Sequence, residues 1–303
     1  MIRVAQVIRR SSRLRTIVGA TMAIVVTGFF VSRAGQTLNM VRLAWQPVSW
    51  LYLGMSLLLL VVCLFIMAVL WYGLLRTMGG RLPLAQAIRL YGLTLLPRYL
   101  PGMVWGYAGR AVWCEHYGVP KKVAVGSVAV EVGLIVVGGL AIVVLKHLAW
   151  AWVITFGMPT LLLASGLVLA RITRRRTMLV RFKQAFVWYG WALAYLGFWL
   201  MYGLSSWLVT LSVTPELGVD YASEIVVSYA VAWLVGFAVV FIPNGLGVRE
   251  GVFALALIPV LGHAGAIFVP LLARAVAMLS EITFFVLCYL GGKALLSRTL
   301  SPE

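Results

Sequence analysis

The sequence predicts an all-α, polytopic membrane protein, and three observations carry that expectation. Of 303 residues, 63% are hydrophobic and only 11% charged, where a soluble domain carries about a quarter charged residues. Runs such as 16–32, 50–75, 123–145 and 150–170 are each long and apolar enough to cross a bilayer, which needs ~20 such residues. The cations fall on alternate loops. Together these exclude a soluble enzyme, a disordered chain and a disulfide scaffold. Cys63, Cys114 and Cys288 sit in or beside apolar runs and read as packed small hydrophobes.

The net charge of +17 would suit a nucleic-acid binder, but its placement points elsewhere. Eighteen Lys and Arg residues lie in the N-terminal stretch, the edges of 76–122, segment 171–183 and the C-terminus. The opposite loops hold only Arg33, Arg42 and Lys146, alongside Glu216, Asp220 and Glu224. Basic loops stay in the cytoplasm. Both termini are therefore expected there, in a cell (inner or plasma) membrane, with the basic loops meeting anionic headgroups. Nucleic acid is not an expected partner. The basic start followed by run 16–32 has the outline of a signal peptide, but Ser32-Arg33-Ala34 is a poor cleavage site, so the run reads as a retained helix.

Each element follows in order. After the span at 50–75, a helical stretch at 84–96 breaks at Pro97-Arg98-Tyr99-Leu100-Pro101-Gly102, and helix resumes at 103–116. Proline removes a donor and glycine frees the turn, so continuous helix is impossible there. Two pieces of ~13 residues are each too short to span at 1.5 Å per residue. They predict a re-entrant hairpin that leaves and returns to the cytoplasmic face before Lys121-Lys122. The span at 123–145 follows.

The second half repeats the plan. Run 225–242 breaks at Pro243-Asn244-Gly245-Leu246-Gly247, resumes at 248–261, and gives way to a last span at 264–290. Eighteen residues at 225–242 would suffice for a full crossing, which would put the C-terminus outside. The C-terminal cations Lys293 and Arg298 favour a second re-entrant pair, entered from the opposite face. The expectation is one transmembrane domain over 1–303 with inverted halves 1–145 and 146–303. It has about six full spans and two broken re-entrant pairs, and interrupted helices at matching places mark an inverted-repeat transporter.

Seven charges lie inside apolar segments: Arg98, Arg110, Arg249, Arg274, Glu131, Glu250 and Glu281. At ~2.5–3.5 kcal/mol each they would cost ~20 kcal/mol unpaired, more than a typical net stability of 5–15 kcal/mol. They must pair, face water or bind something charged. As structural pairs, Glu131 would meet Arg98 or Arg110. Arg274 and Glu281, seven apart on one helix face, would each meet a partner from the other half. As a site, Pro101-Gly102 opens a helix whose free N–H groups and positive dipole end suit a phosphate, with Arg98 alongside. Glu250 opens the other half-helix and would satisfy its dipole itself. The tryptophans Trp45, Trp50, Trp71, Trp150, Trp152, Trp188 and Trp191 read as an interfacial belt. No metal site is expected from His116, His147 and His263, and no cofactor.

The stretch Ile242-Pro243-Asn244-Gly245-Leu246-Gly247-Val248-Arg249-Glu250, with Pro97 to Gly102 upstream, resembles the lysylphosphatidylglycerol synthase transmembrane-region family. This is the flippase-like module of bacterial aminoacyl-phospholipid proteins, also found alone. The family usually shows Pro-Gly-Gly-hydrophobic-Gly followed closely by Glu; here Asn244 stands at the first glycine. The likeness covers nearly the whole chain. It implies lipid handling and a fold with re-entrant helices, in the stand-alone form without the synthetase domain.

The leading expectation is a non-enzymatic transporter that moves an anionic phospholipid, glycolipid or polyprenyl-phosphate headgroup across the bilayer. Arg98, Arg110 and Arg249 would meet the headgroup, with Pro101 and Gly102 at the helix start. Glu131, Glu250, Arg274 and Glu281 would set the charge or take a coupling proton, and Pro243, Asn244, Gly245 and Gly247 would shape the second break. A lipid glycosyl- or acyltransferase is the alternative, but with Asp220 as the single aspartate an Asp-based metal motif is impossible. A third reading is an accessory subunit whose charges lock helices together. An oligomer or a partner enzyme fits any of the three.

Overall fold

The computed structural model describes residues 48–99, 104–147, 159–164, 168, 176–239 and 242–299. Among these the regular elements are all helices, joined by short turns. Five helical segments are long and apolar enough to cross a membrane: 50–77, 121–146, 182–213, 219–238 and 248–291. The expected spans at 16–32 and most of 150–170 lie outside the described residues.

Helix α1 (Trp50–Thr77) carries no charge before Arg76 in its last turn, where a cation suits the dipole. It ends where Gly79 takes φ 90° and the Gly80 N–H bonds back to the Leu75 carbonyl at 2.8 Å. Helix α2 (Leu84–Leu93) starts after Pro83 and stops at Thr94, whose hydroxyl donates to the Leu90 carbonyl at 2.8 Å. A 3-10 turn, Leu96–Tyr99, forms the break, and α3 (Val104–His116) follows. Helix α4 (Lys121–His147) begins on the Pro120 carbonyl, which accepts from Val123 and Ala124. Helix α5 (Arg176–Val213) has 38 residues, ~57 Å of helix against ~40–45 Å of bilayer with headgroups. A helix this long crosses either strongly tilted or with one end beyond the membrane.

Helix α6 (Ala222–Ala238) leads to the second break, a 3-10 turn at Pro243–Gly245. Helix α7 (Val248–Thr299) is two rods: Gly262 adopts φ 64°, ψ 178° and divides it into 248–261 and 263–299. The sequence-expected break-and-resume pattern is therefore present in both halves.

Helices α1 and α5 run antiparallel through the middle. The Ser49 N–H meets the Ser212 carbonyl at 2.7 Å, and Ser56 meets Ser205, hydroxyl to hydroxyl, at 2.9 Å. Small polar residues let helices approach closely where lipid supplies no hydrophobic drive. One buried cluster gathers Trp71, Tyr91, Tyr195, Trp199 and Phe284; a second gathers Leu60, Ile225, Phe253, Leu257 and Val269. Cys63, Cys114 and Cys288 are free and buried, as packed hydrophobes should be. Two of the tryptophans read as a belt, Trp50 and Trp188, lie exposed on the helix surface. Trp71 does not, being fully buried with its indole N–H on the Ser127 hydroxyl at 3.3 Å.

Candidate functional site

The two helix breaks touch each other. Ten residues of α2 rise ~15 Å, about half of a ~30 Å hydrocarbon core, and the second turn packs against the first. Six of the seven interior charges form three ion pairs around this meeting point.

Arg98, in the first turn, binds Glu281 of α7 through its guanidinium. Tyr99 beside it donates its hydroxyl to the other Glu281 oxygen at 2.7 Å. Both residues of the turn thus hold one carboxylate, and that carboxylate comes from the opposite half. Arg110 of α3 meets Glu131 of α4 at 2.8 Å, with Glu131 fully buried. The Arg110 guanidinium lies over Tyr91 at 4.3 Å, Trp71 at 4.9 Å and Tyr107 at 5.7 Å. Such rings stabilise a desolvated cation by ~2 kcal/mol. Arg274 meets Glu250 at 3.5 Å and lies over the Tyr99 ring at 5.5 Å.

Two pairings match the sequence reading: Glu131 with Arg110, and Glu281 with the first half. One corrects it. Arg274 pairs with Glu250 of its own half, because the bend at Gly262 folds 263–299 back alongside 248–261.

The second break has the geometry its residues favour. Asn244 (φ 48°), Gly245 (φ 65°) and Gly247 (φ 82°) are all left-handed. Asparagine tolerates that region better than most side-chain-bearing residues, which suits Asn244 to this position. Glu250 accepts the Gly247 N–H at the start of α7, satisfying one orphan donor and the dipole as the sequence suggested. Pro243 opens the 3-10 turn. Pro101 and Gly102, and with them the expected phosphate cradle, lie outside the described residues.

Arg249 has no acidic partner among the described residues. Its guanidinium stacks on Trp233 at 4.9 Å, and its Nε is closed to solvent without an acceptor.

Two cavities adjoin these pairs. The larger, about 60 Å³, is lined by Arg98, Arg110, Tyr91, Tyr107, Tyr202 and Trp233 among others. It has room for a few waters. The smaller, about 20 Å³, lies among Tyr229, Trp233, Arg249, Glu250 and Arg274. Sequence reading missed Tyr91, Tyr99, Tyr107, Trp71 and Trp233, since nothing in an apolar run separates a site aromatic from a core one. Among the described residues no three His, Cys, Asp or Glu side chains gather as a metal would require.

A bundle of apolar helices, interrupted twice and lined with charge where the interruptions meet, defines a multi-pass membrane protein with a polar interior. Residues 16–281 match the family described as Lysylphosphatidylglycerol synthase TM region, and the chain belongs to that family. The membership ties it to lipid modification or transport. No curated protein and no solved structure matches the chain.

Proposed function

We propose that this protein translocates a lipid with an anionic headgroup between the leaflets of a cell membrane, without making or breaking a covalent bond. The observation that carries the reading is the contact between the two helix breaks, with three arginine–glutamate pairs and a cavity gathered around it. A polar chamber at the helix breaks is where transporters built from interrupted helices bind their cargo. Arg98, Arg110 and Arg249 are the headgroup candidates. The three interior glutamates are already committed to arginines, which favours positioning and coupling over acid–base catalysis.

The inverted-repeat reading, with halves 1–145 and 146–303, draws support from the packing. Helix α4 lies on α5 as α7 lies on α1; α2 lies on α7 as α6 lies on α4; α1 meets α2 as α5 meets α6. Exchanging the halves maps each of these contacts onto its counterpart. Two ion pairs follow the same exchange with signs reversed. Arg110 of the resumed helix holds Glu131 of the next span, and Glu250 of the other resumed helix holds Arg274. On this reading both breaks are tips of re-entrant pairs, and both termini are cytoplasmic.

Arg110–Glu131 and Arg274–Glu250 each lie within one half and travel with it. The Arg98/Tyr99 grip on Glu281 joins the halves at the centre, so it must open before a headgroup enters a chamber of about 60 Å³. Reconstituted vesicles loaded with fluorescent phosphatidylglycerol test this. The wild type equilibrates the lipid between leaflets, while Arg98→Ala and Glu250→Gln insert normally and lose the activity. Wild-type rates in both variants would overturn the site.

A further inference from the structure

The three interior glutamates are not held alike. Glu131 is fully buried, and its partner Arg110 is boxed in by the rings of Tyr91, Trp71 and Tyr107. Glu250 accepts the Gly247 N–H at a helix start, where the dipole favours a charged carboxylate. Glu281 has neither support. One of its oxygens rests on Arg98 and the other on the Tyr99 hydroxyl, and both partners belong to the first turn. Arg98 in turn lines the larger cavity and leaves 25% of its side chain exposed, against only 5% for Glu281.

Opening this grip leaves a carboxylate away from water without its counter-charge. Such a group neutralises by taking a proton rather than staying ionised. The cavity beside Arg98 has room for a few waters to deliver one. The groups around the grip leave few other takers. Arg274 of the same helix lies over the Tyr99 ring at 5.5 Å. Tyr107 of α3, Tyr202 of α5 and Arg249 stand within electrostatic reach of Arg98, as does Glu131. Helix α2 adds Arg89 and Tyr91, α1 adds Cys63 on the same cavity, and α6 adds Tyr229 on the smaller one. Arginine, tyrosine and thiol groups titrate above neutral pH. A change of charge therefore falls on a glutamate, and Glu131 and Glu250 keep their arginines when the Arg98 grip opens.

We infer that Glu281 is a binding site for a coupling proton, filled when Arg98 turns from it to an anionic group in the cavity. This rests on the lipid-translocation reading and adds a second substrate to it. The Arg98–Glu281 pair breaks as an Arg98–anion pair forms, and one proton passes from water to a Glu281 oxygen. When the anion leaves, the proton returns to water and Arg98 to the carboxylate. One negative and one positive charge enter together, so loading leaves the net charge of the interior unchanged, whatever other charges it holds. Cargo and proton then move in the same direction.

The test adds phosphatidylglycerol to purified full-length protein in a weakly buffered neutral detergent and follows proton uptake with an indicator dye. The wild type is expected to take up about one proton per lipid bound, and its affinity to rise by up to about tenfold for each pH unit lowered. Glu281→Gln binds the lipid with no uptake and a flat pH profile. Tyr99→Phe removes a hydrogen bond that favours the carboxylate, so the pH window of uptake moves upward. Binding without uptake in the wild type, uptake that persists in Glu281→Gln, or an unmoved window in Tyr99→Phe overturns the inference. The wild type and Tyr99→Phe decide even if Glu281→Gln fails to fold. Soluble glycerophosphoglycerol, the headgroup without its chains, separates a lipid from a free anion: equal uptake on it supports the proton site and sinks the lipid reading. The two readings fail separately. Phosphatidylglycerol transport without proton uptake sinks this inference alone, and uptake at Glu281 without transport of any lipid sinks the translocation reading.

Discussion

Glu131 has no exposed surface and faces Arg110 at 2.8 Å, so removing either partner strands a charge away from water. Arg110→Ala should cost ~3–5 kcal/mol. The double variant Arg110→Met with Glu131→Leu should recover most of that loss, because apolar residues of similar volume replace buried pairs at little net cost. Thermal unfolding in detergent measures both. Arg98 and Glu281 differ, because their pairing ties the first break to the distant helix α7. Exchanging them, Arg98→Glu with Glu281→Arg, should restore the unfolding temperature lost by either single variant while translocation stays absent. Recovery of both would favour the helix-locking role of an accessory subunit. The interior charges were legible in the sequence because a charge stands out in an apolar run. Their partners were less so: Glu131 narrows to two arginines by position, whereas Arg274 and Glu250 meet only because Gly262 bends α7 back on itself. Trp71 shows the same limit. Near a span end it reads as an interfacial anchor, yet it forms one wall of the Arg110 cage.

At the scale of the helix, proline and glycine carry their message locally, so both breaks could be read from the sequence alone. The turn at Pro243–Gly245 depends on left-handed residues. Asn244→Gly should leave stability nearly unchanged. Asn244→Val should cost ~1–2 kcal/mol, the penalty for a branched side chain in that region, as read by the same unfolding measurement. Helix α5 could not be bounded in this way. Its basic start at Arg176 reads as loop, yet the helix extends from there to Val213. Charged residues are good helix formers, and nothing in the sequence stops the helix where the apolar stretch begins.

Across the whole molecule, the account depends on which ends share a face. Lys146 at the end of α4 pairs with Glu224 at the start of α6 at 2.8 Å, and Ser49 before α1 meets Ser212 near the end of α5. Those contacts place the ends of α4 and α5 and the starts of α1 and α6 within two neighbouring pairs. On the proposed topology, the charge pattern puts that face outside. The proposed orientation rests on counts of Lys and Arg in loops, which the sequence supplies directly. The depth of each break was not, since α6 is long enough to span by itself and only its tertiary contact with the first turn argues otherwise. The most direct measurement places single cysteines at the exposed positions Thr77, Tyr117, Glu216 and His263, in a protein lacking its three native cysteines. They are then labelled with an impermeant maleimide in vesicles of known orientation. The account predicts that Thr77→Cys and Tyr117→Cys label only from the cytoplasmic face, and Glu216→Cys and His263→Cys only from the other. Labelling of positions 216 and 263 from opposite faces, or of all four from one face, would contradict it.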